Sequence, residues 1–220
     1  MSSGVKYVQM SDGFKVRTAV VSTEDELAIH LPDFISGARN SGLFVGFDTE
    51  WMLRDTSGSR CAKIGLLKLC NNSGFCLLLE LHRFGSMPPE LIKLLAVRDI
   101  TYVGVNISNE LEKLKEDYGL EIRTTVDLSS VAAEKSEYSP FCYAGCIRLE
   151  GLGYLWEYTQ RSKPKGVDEE LIFWLAEYPW NQFRENCTEK QLEYAVYSAY
   201  AAVKIAYSLF LFHRGRPFGR

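Results

Sequence analysis

The sequence predicts an α/β domain in which helices cover both faces of a sheet. Strand-like apolar stretches dominate the first part of the chain, and from Pro88 onward such stretches alternate with segments of helical periodicity. A length of 220 residues, with 46% hydrophobic and 24% charged residues, is typical of one globular domain with a full core. These observations favour a single layered domain without internal repeats or a linker.

The N-terminal part predicts a β-hairpin followed by a helix. Val5–Val21 contains two β-rich segments around an Asp-Gly pair, which favours a hairpin turn. Thr23–Arg39 begins with a capping-box pattern and has apolar residues at helical spacing, and Gly42 ends it. We therefore divide the domain into an N-terminal hairpin and helix, residues 1–40, and a core, residues 43–212.

The core begins with three strands that turn signals separate into an antiparallel meander, and then continues with alternating helices and strands. A Pro-Pro pair opens the first core helix, and a long apolar stripe marks the last one. The predicted elements are, in order, strand Leu43–Glu50, polar loop Arg54–Arg60, strands Ala62–Cys70 and Phe75–Leu81, helix Pro88–Ala96, strand Thr101–Val105, helix Asn109–Tyr118, strand Thr124–Leu128, a helical segment from Ser129, and helices Asp168–Leu175 and Thr188–Phe212.

Composition narrows the classes of protein. The net charge of −3 and the pI of 5.7 count against a general nucleic-acid coat, although a local basic groove remains compatible with them. No apolar run reaches membrane-span length and the N-terminus lacks a signal-peptide core, so we expect an intracellular protein, nuclear or cytoplasmic, with no membrane partner. None of the six cysteines forms a CxxC pair, which favours reduced thiols over a zinc site at Cys142 and Cys146.

One stretch, Leu43–Trp51, suggests chemistry. An apolar strand leads into Asp48-Thr49-Glu50, and the alternation of a strand points Asp48 and Glu50 to the same face. Two neighbouring carboxylates repel each other unless a cation lies between them, and oxygen ligands suit Mg²⁺ or Mn²⁺. The stretch therefore predicts a divalent-metal site. The alternatives are one structural metal, or no metal and an ordinary strand that ends in a polar turn.

Two further segments give this stretch a context: Gly104–Leu114, GVNISNELEKL, and Thr188–Ala202, TEKQLEYAVYSAYAA. In this order the three segments resemble the DEDDy group of 3′–5′ exonucleases, in particular the Werner-syndrome-type exonuclease domain, over roughly residues 43–211. The resemblance implies an RNase H-like three-layer fold with a five-stranded mixed sheet, to which the N-terminal β-hairpin is an addition. It also implies hydrolysis of a terminal phosphodiester with two bound metal ions.

The resemblance assigns roles to five residues. Asp48 and Glu50 match the first two metal-binding carboxylates, Glu110 stands at the position of the second Asp, and Tyr194 matches the water-orienting tyrosine. Ser198, four residues after Tyr194 and on the same helix face, stands where the family has its last Asp. The implied metal ligands are therefore Asp48, Glu50 and Glu110, and the implied cofactor is Mg²⁺ or Mn²⁺, if there is any.

The two departures from the family pattern predict a degenerate site. Glu110 keeps the charge but adds a methylene, which small octahedral Mg²⁺ tolerates poorly. Ser198 replaces an anionic ligand with a neutral hydroxyl. The alternatives are structural: Tyr194 as a core tyrosine, Ser198 as a small packing residue, and Glu110 as an acid that the helix N-terminus favours.

Aromatic and basic residues predict a nucleic-acid-binding surface, because aromatic rings stack on bases and cations follow phosphates. The candidates are Trp51, Arg54, Lys63, Arg161, Lys163 and Trp180, together with Arg60 and Lys165. The alternative is that the tryptophans belong to the core and the charges to a solvated surface.

Three classes of function remain open. The first is a protein that binds single-stranded RNA or DNA, or acts as a scaffold for a protein partner, through a catalytically weakened exonuclease domain. The second is an active metal-dependent 3′–5′ exonuclease. The third is a pure protein-interaction module. Ser198 favours the first class over the second.

Overall fold

The sheet carries seven strands in a computed structural model of the chain, which describes residues 4–10, 12–42, 44–56, 59–134 and 187–211 together with Leu152, Trp156, Gln160 and Phe183. The strands are β1 (Lys6–Gln9), β2 (Lys15–Val21), β3 (Phe44–Thr56), β4 (Ser59–Asn71), β5 (Phe75–Glu80), β6 (Thr101–Gly104) and β7 (Thr125–Asp127). Their spatial order is β1-β2-β5-β4-β3-β6-β7.

The strand directions confirm a mixed five-stranded core with an added hairpin. β5, β4 and β3 form the predicted antiparallel meander, whereas β6 runs parallel to β3 and β7 parallel to β6. The N-terminal hairpin of β1 and β2 extends this sheet, because β2 pairs in parallel with β5. Parallel neighbours require crossover connections, and helices make those connections here.

Helices cover both faces of the sheet, as predicted. The helices whose full ranges lie among the described residues are α1 (Glu24–Ser41), α2 (Pro89–Leu95), α3 (Ser108–Tyr118), α4 (Leu128–Glu134) and α5 (Glu189–Leu211), and a 3-10 turn spans Leu81–Arg83. One buried cluster packs the α1, α2 and α3 side of the sheet, and a second packs the α4 and α5 side together with Leu152, Trp156 and Phe183. The result is a three-layer α/β arrangement. No helix in these described ranges is both long and apolar enough to span a membrane.

The prediction of a polar loop at Arg54–Arg60 is wrong. β3 continues to Thr56 and β4 begins at Ser59, so the two strands form one long antiparallel hairpin. A register shift between Glu50 and Trp51 marks a β-bulge, beyond which the pairing resumes. Continued pairing satisfies the backbone donors and acceptors of this polar stretch, which the side-chain composition did not reveal. The predicted helix at Asp168–Leu175 lies outside the described residues.

A glycine allows α5 to lie close to the centre of the sheet. A Cβ atom at Gly46 on β3 would overlap the carbonyl oxygen of Ala199 on α5. The far end of α5 is fixed as well, since the Tyr207 hydroxyl donates a hydrogen bond to the Ser41 carbonyl at the end of α1. These contacts hold one face of α5 against β3, and with it the residues Tyr194 and Ser198.

Candidate active site

The carboxylates of Asp48 and Glu50 lie on the face of β3 that α5 covers. Both residues precede the β-bulge and alternate with residues of the opposite core, such as Phe47, so their side chains point the same way. The Asp48 side chain is 25% exposed and the Glu50 side chain 16% exposed. Two partly buried carboxylates therefore lie side by side, as the sequence predicts.

A buried lysine bridges this pair. Lys68 lies directly opposite Asp48 in the pairing of β4 with β3, and its side chain is fully buried. Its Nζ forms an ion pair with Asp48 Oδ2 and donates a hydrogen bond of 2.6 Å to Glu50 Oε1. Burial by itself would lower the pKa of Lys68, but the charges of Asp48 and Glu50 outweigh it and raise the pKa above the usual value. The ammonium group is therefore the cation between the two carboxylates.

Helix α5 packs over the face of β3 that carries Asp48 and Glu50, and it contributes Tyr194 and Ser198 to the site. Tyr194 is 8% exposed, and its ring centroid lies 5.5 Å from Lys68 Nζ, which is a cation–π distance. Ser198, one turn further along, is 7% exposed, and its buried Oγ has no hydrogen-bond partner among the described residues. The spacing of four residues brings Tyr194 and Ser198 to the covered face, as predicted, and leaves a neutral hydroxyl there.

Glu110 lies in the first turn of α3 and is 1% exposed. The loop that leads into this helix is held by Asp127 at the end of β7, whose carboxylate accepts hydrogen bonds of 3.1 Å from the backbone amides of Asn106 and Ile107. Asn106 has a φ of 58°, in the left-handed region, and its Oδ1 accepts a hydrogen bond from Ser129 Oγ. Asp127 thereby sets the position at which α3 starts and hence where Glu110 lies.

The donor set does not fit a two-metal centre. Within the parts of the chain that the structure describes, no three His, Cys, Asp or Glu side chains form a cluster that could hold a metal ion. Of the predicted ligands Asp48, Glu50 and Glu110, the first two contact the ammonium group of Lys68.

The predicted nucleic-acid-binding residues are spread over the molecule. Trp51 is half-buried, packs with the α1, α2 and α3 core, and donates a hydrogen bond of 3.2 Å from Nε1 to Thr49 Oγ1. Lys63 Nζ lies 4.3 Å from the centroid of the Tyr118 ring on α3, on the face of the sheet opposite to Lys68. Arg54 lies in β3 with its side chain outside the described part. The remaining candidates outside the described residues are Arg161, Lys163 and Trp180.

Sequence reasoning missed two residues that organise the site, Lys68 and Asp127. The sequence does indicate that Lys68 is unusual, because it lies inside the apolar run from Ile64 to Cys70. The alternation of a strand places it on the same face as the buried residues Leu66 and Cys70. A lysine in the interior of a central strand is rarely buried unless it is paired, so it points to an anionic partner. Which anion it meets depends on the cross-strand register, which the sequence does not contain.

Sequence comparisons relate the chain to known 3′–5′ exonucleases. A family model described as 3′–5′ exonuclease matches residues 19–210. The chain is 31% identical over 180 residues to mouse Exonuclease 3′–5′ domain-containing protein 2, which covers 80% of this chain and 25% of that protein. It is 30% identical over 129 residues to an Arabidopsis thaliana 3′–5′ exonuclease, covering 57% of this chain and 44% of that protein. The chain thus spans about a quarter and less than half, respectively, of these two relatives.

Similarity extends to a helicase-linked nuclease and to solved structures. Mouse bifunctional 3′–5′ exonuclease/ATP-dependent helicase WRN is 31% identical over 116 residues, 53% of this chain and 8% of that protein. The EXD2 exonuclease domain soaked in Mn matches 88% of both chains with 26% identity and a TM-score of 0.47. The same domain soaked in Mn and dGMP gives 26% identity and a TM-score of 0.48, covering 87% of this chain and 88% of that one.

Proposed function

Because the chain belongs to the 3′–5′ exonuclease family, we propose that it is a nucleic-acid-binding or scaffold protein that uses the exonuclease fold and cleaves weakly or not at all. The observation that carries this proposal is Ser198. Its hydroxyl lies buried on the covered face of α5, one turn from Tyr194, at the position where the family resemblance implies a carboxylate. We infer that the shape of an exonuclease site is kept, while one of its anionic groups is replaced by this hydroxyl.

Charge supports the proposal. The pair of Asp48 and Glu50 contacts a buried ammonium group, and Ser198 stands where the family resemblance implies a carboxylate. We infer that this arrangement attracts divalent cations less than a site of four carboxylates would. Losing one ligand of a nucleophile-side metal costs several kcal/mol of transition-state stabilisation, on the order of a thousandfold in rate. We therefore expect cleavage to be slow or absent.

Nucleic acid is the ligand we propose, with single-stranded RNA or DNA as the class. Support comes from family membership and from the basic and aromatic candidates Arg161, Lys163 and Trp180, in the segment before α5, together with Trp51, Arg54 and Lys63. The net charge of −3 argues for weak binding confined to a local surface. A protein partner fits the scaffold part of the proposal.

A cleavage assay tests the catalytic part. The purified chain, incubated with Mg²⁺ or Mn²⁺ and a 5′-labelled single strand, should shorten the strand from its 3′ end slowly or not at all. Ser198→Asp combined with Glu110→Asp and Lys68→Gln should restore measurable trimming. The first change adds the missing carboxylate, the second shortens the side chain at position 110 to that of the family, and the third removes the competing cation. Rapid trimming by the unaltered chain that Asp48→Ala abolishes would contradict the proposal.

A binding assay tests the ligand. Fluorescence anisotropy with labelled single-stranded RNA and DNA should show binding that weakens as salt rises, because phosphate contacts release counterions. The double variant Arg161→Ala, Lys163→Ala should bind less tightly than the unaltered chain, whereas Lys93→Ala, an exposed lysine on α2, should bind equally. An absence of binding at low salt would leave only the scaffold part.

One observation favours a second candidate, an active metal-dependent 3′–5′ exonuclease. Asp48 and Glu50 do lie together beneath α5, and Tyr194 faces their partner Lys68. If Lys68 moved aside on binding of metal and substrate, these residues would provide part of a catalytic centre. The cleavage assay with the unaltered chain decides between the two candidates.

A further inference from the structure

We infer that Lys68 is a resident cation that takes the place of a divalent ion between Asp48 and Glu50, so that this carboxylate pair is held together without a metal. The inference goes beyond the proposed function. It concerns which cation neutralises the carboxylates of Asp48 and Glu50, and it does not depend on whether the chain binds nucleic acid.

The first support is the geometry of the ammonium group. Lys68 Nζ contacts both carboxylates at once, through the ion pair with Asp48 Oδ2 and the 2.6 Å hydrogen bond to Glu50 Oε1. An ammonium group carries three donors on a compact charge, so it can bridge two carboxylates as a metal ion bridges its ligands. The Tyr194 ring, 5.5 Å away, adds the negative face of an aromatic ring on the third side.

The second support is the way in which the fold fixes Lys68. It lies in β4, between β3 and β5 in the middle of the sheet, and pairs with Asp48 on one side and Leu78 on the other. Its side chain is 0% exposed, whereas Lys93 on α2 is exposed to solvent. Leu66 and Cys70, which flank it on the same face, are also fully buried. Lys68 is therefore built into the core and is not a surface side chain that swings into the site.

The third support is charge balance. Two carboxylates on one strand face repel each other, and partial burial strengthens that repulsion. Lys68 compensates one negative charge fully and reduces the attraction of the pair for a second cation. A divalent ion that entered between Asp48 and Glu50 would meet the ammonium group at contact distance. The pair is consequently closed to metal as long as Lys68 stays in place.

Manganese binding tests the inference with a readout that is independent of activity. Mn²⁺ is titrated into the metal-free chain and followed by electron paramagnetic resonance of the free ion, and the melting temperature is recorded with and without Mn²⁺. The variants are Asp48→Asn, Lys68→Gln, the two combined, and Lys93→Gln, which removes the same charge from the exposed surface of α2.

The unaltered chain and Lys93→Gln should show no change in melting temperature with Mn²⁺. Lys68→Gln should bind Mn²⁺ at least about tenfold more tightly than the unaltered chain. At an Mn²⁺ concentration of about 100 times its Kd, its melting temperature should rise by roughly 5 to 10 °C. The gain should disappear when Asp48→Asn is added, which assigns the bound ion to the carboxylate pair.

Two outcomes would overturn the inference. The first is Mn²⁺ binding by the unaltered chain that Asp48→Asn removes, because the pair would then accept a metal beside Lys68. The second is a Lys68→Gln variant that is as stable as the unaltered chain in metal-free buffer and gains nothing from Mn²⁺. Should Lys68→Gln fail to fold, the titration of the unaltered chain against Asp48→Asn still decides. Failure of nucleic-acid binding would affect the proposed function alone.

Discussion

Neutralising the two carboxylates beside Lys68 changes the stability of the fold, and the sign of that change depends on what lies between them. A site that holds Lys68 and a site made for a metal ion predict opposite signs. In a metal site without its ion, Asp48→Asn with Glu50→Gln would relieve repulsion between like charges and stabilise the fold. In this chain the same double variant removes both anions from an ammonium group that is fully buried. An uncompensated buried charge is strongly unfavourable, so we expect the fold to lose stability.

The magnitude follows from the burial of the three groups. Breaking a buried ion pair by removing one partner costs about 3 to 5 kcal/mol. The lysine is 0% exposed, but the side chains of Asp48 and Glu50 are 25% and 16% exposed, so water reaches the site through them. We therefore take the lower end, about 3 kcal/mol, which corresponds to a fall in melting temperature of roughly 6 to 12 °C for a domain of this size.

Urea unfolding followed by circular dichroism, in buffer with EDTA, measures the effect. A triple variant that adds Lys68→Met is the matched control, because it removes the buried charge as well as its partners. An apolar replacement of a buried ion pair is often neutral, so the triple variant should regain most of the stability, to within about 1 kcal/mol of the unaltered chain. If the Asp48→Asn, Glu50→Gln variant is as stable as the unaltered chain or more stable, the two carboxylates do not stabilise a buried ammonium group at Lys68.

Three further predictions concern the residues that position the site. Gly46→Ala should lower the stability by about 1 to 3 kcal/mol in urea unfolding, because the added methyl overlaps the Ala199 carbonyl and pushes α5 from β3; an unchanged midpoint would show that α5 does not approach so closely. Asp127→Ala should cost about 1 to 3 kcal/mol and speed amide exchange in the loop before α3, since buried backbone donors lose their acceptor; unaltered exchange would exclude that role. Tyr200→Phe removes the 2.6 Å hydrogen bond to Asp12 and should cost about 0.5 to 1.5 kcal/mol, with faster exchange in β1 and β2; slower or equal exchange would contradict it.

Local sequence signals predicted most of the elements. The Asp-Gly turn predicted the hairpin of β1 and β2, and the capping box predicted at Thr23 forms. The Thr23 hydroxyl accepts a hydrogen bond from the Glu26 amide, and Thr188 and Gln191 exchange hydrogen bonds at the start of α5. Such signals are readable because each depends on residues a few positions apart.

Properties that depend on distant residues were not predictable in the same way. Alternation along β3 shows that Asp48 and Glu50 share a face, but only the register with β4 places Lys68 opposite Asp48. The sequence therefore predicts a cation between the carboxylates and suggests a metal, whereas the structure places an ammonium group there. The β3–β4 hairpin was missed because polar side chains in an extended strand resemble those of a loop.

The family membership of the chain and the proposed degeneracy of its site rest on different observations. Membership follows from the match over residues 19–210. The loss of catalytic power is proposed from a neutral hydroxyl at Ser198 and from Lys68 between Asp48 and Glu50. A chain can keep the three-layer fold while its central charges change, because the packing of α5 on β3 depends on close contact at Gly46 and apolar side chains rather than on a bound ion.

Anomalous diffraction from a crystal soaked in Mn²⁺ shows whether Lys68 or a metal ion lies between Asp48 and Glu50. We expect continuous density for the Lys68 side chain up to Nζ, in contact with both carboxylates, and no manganese peak between them. A manganese peak bridging Asp48 and Glu50, with the Lys68 side chain displaced, would contradict it.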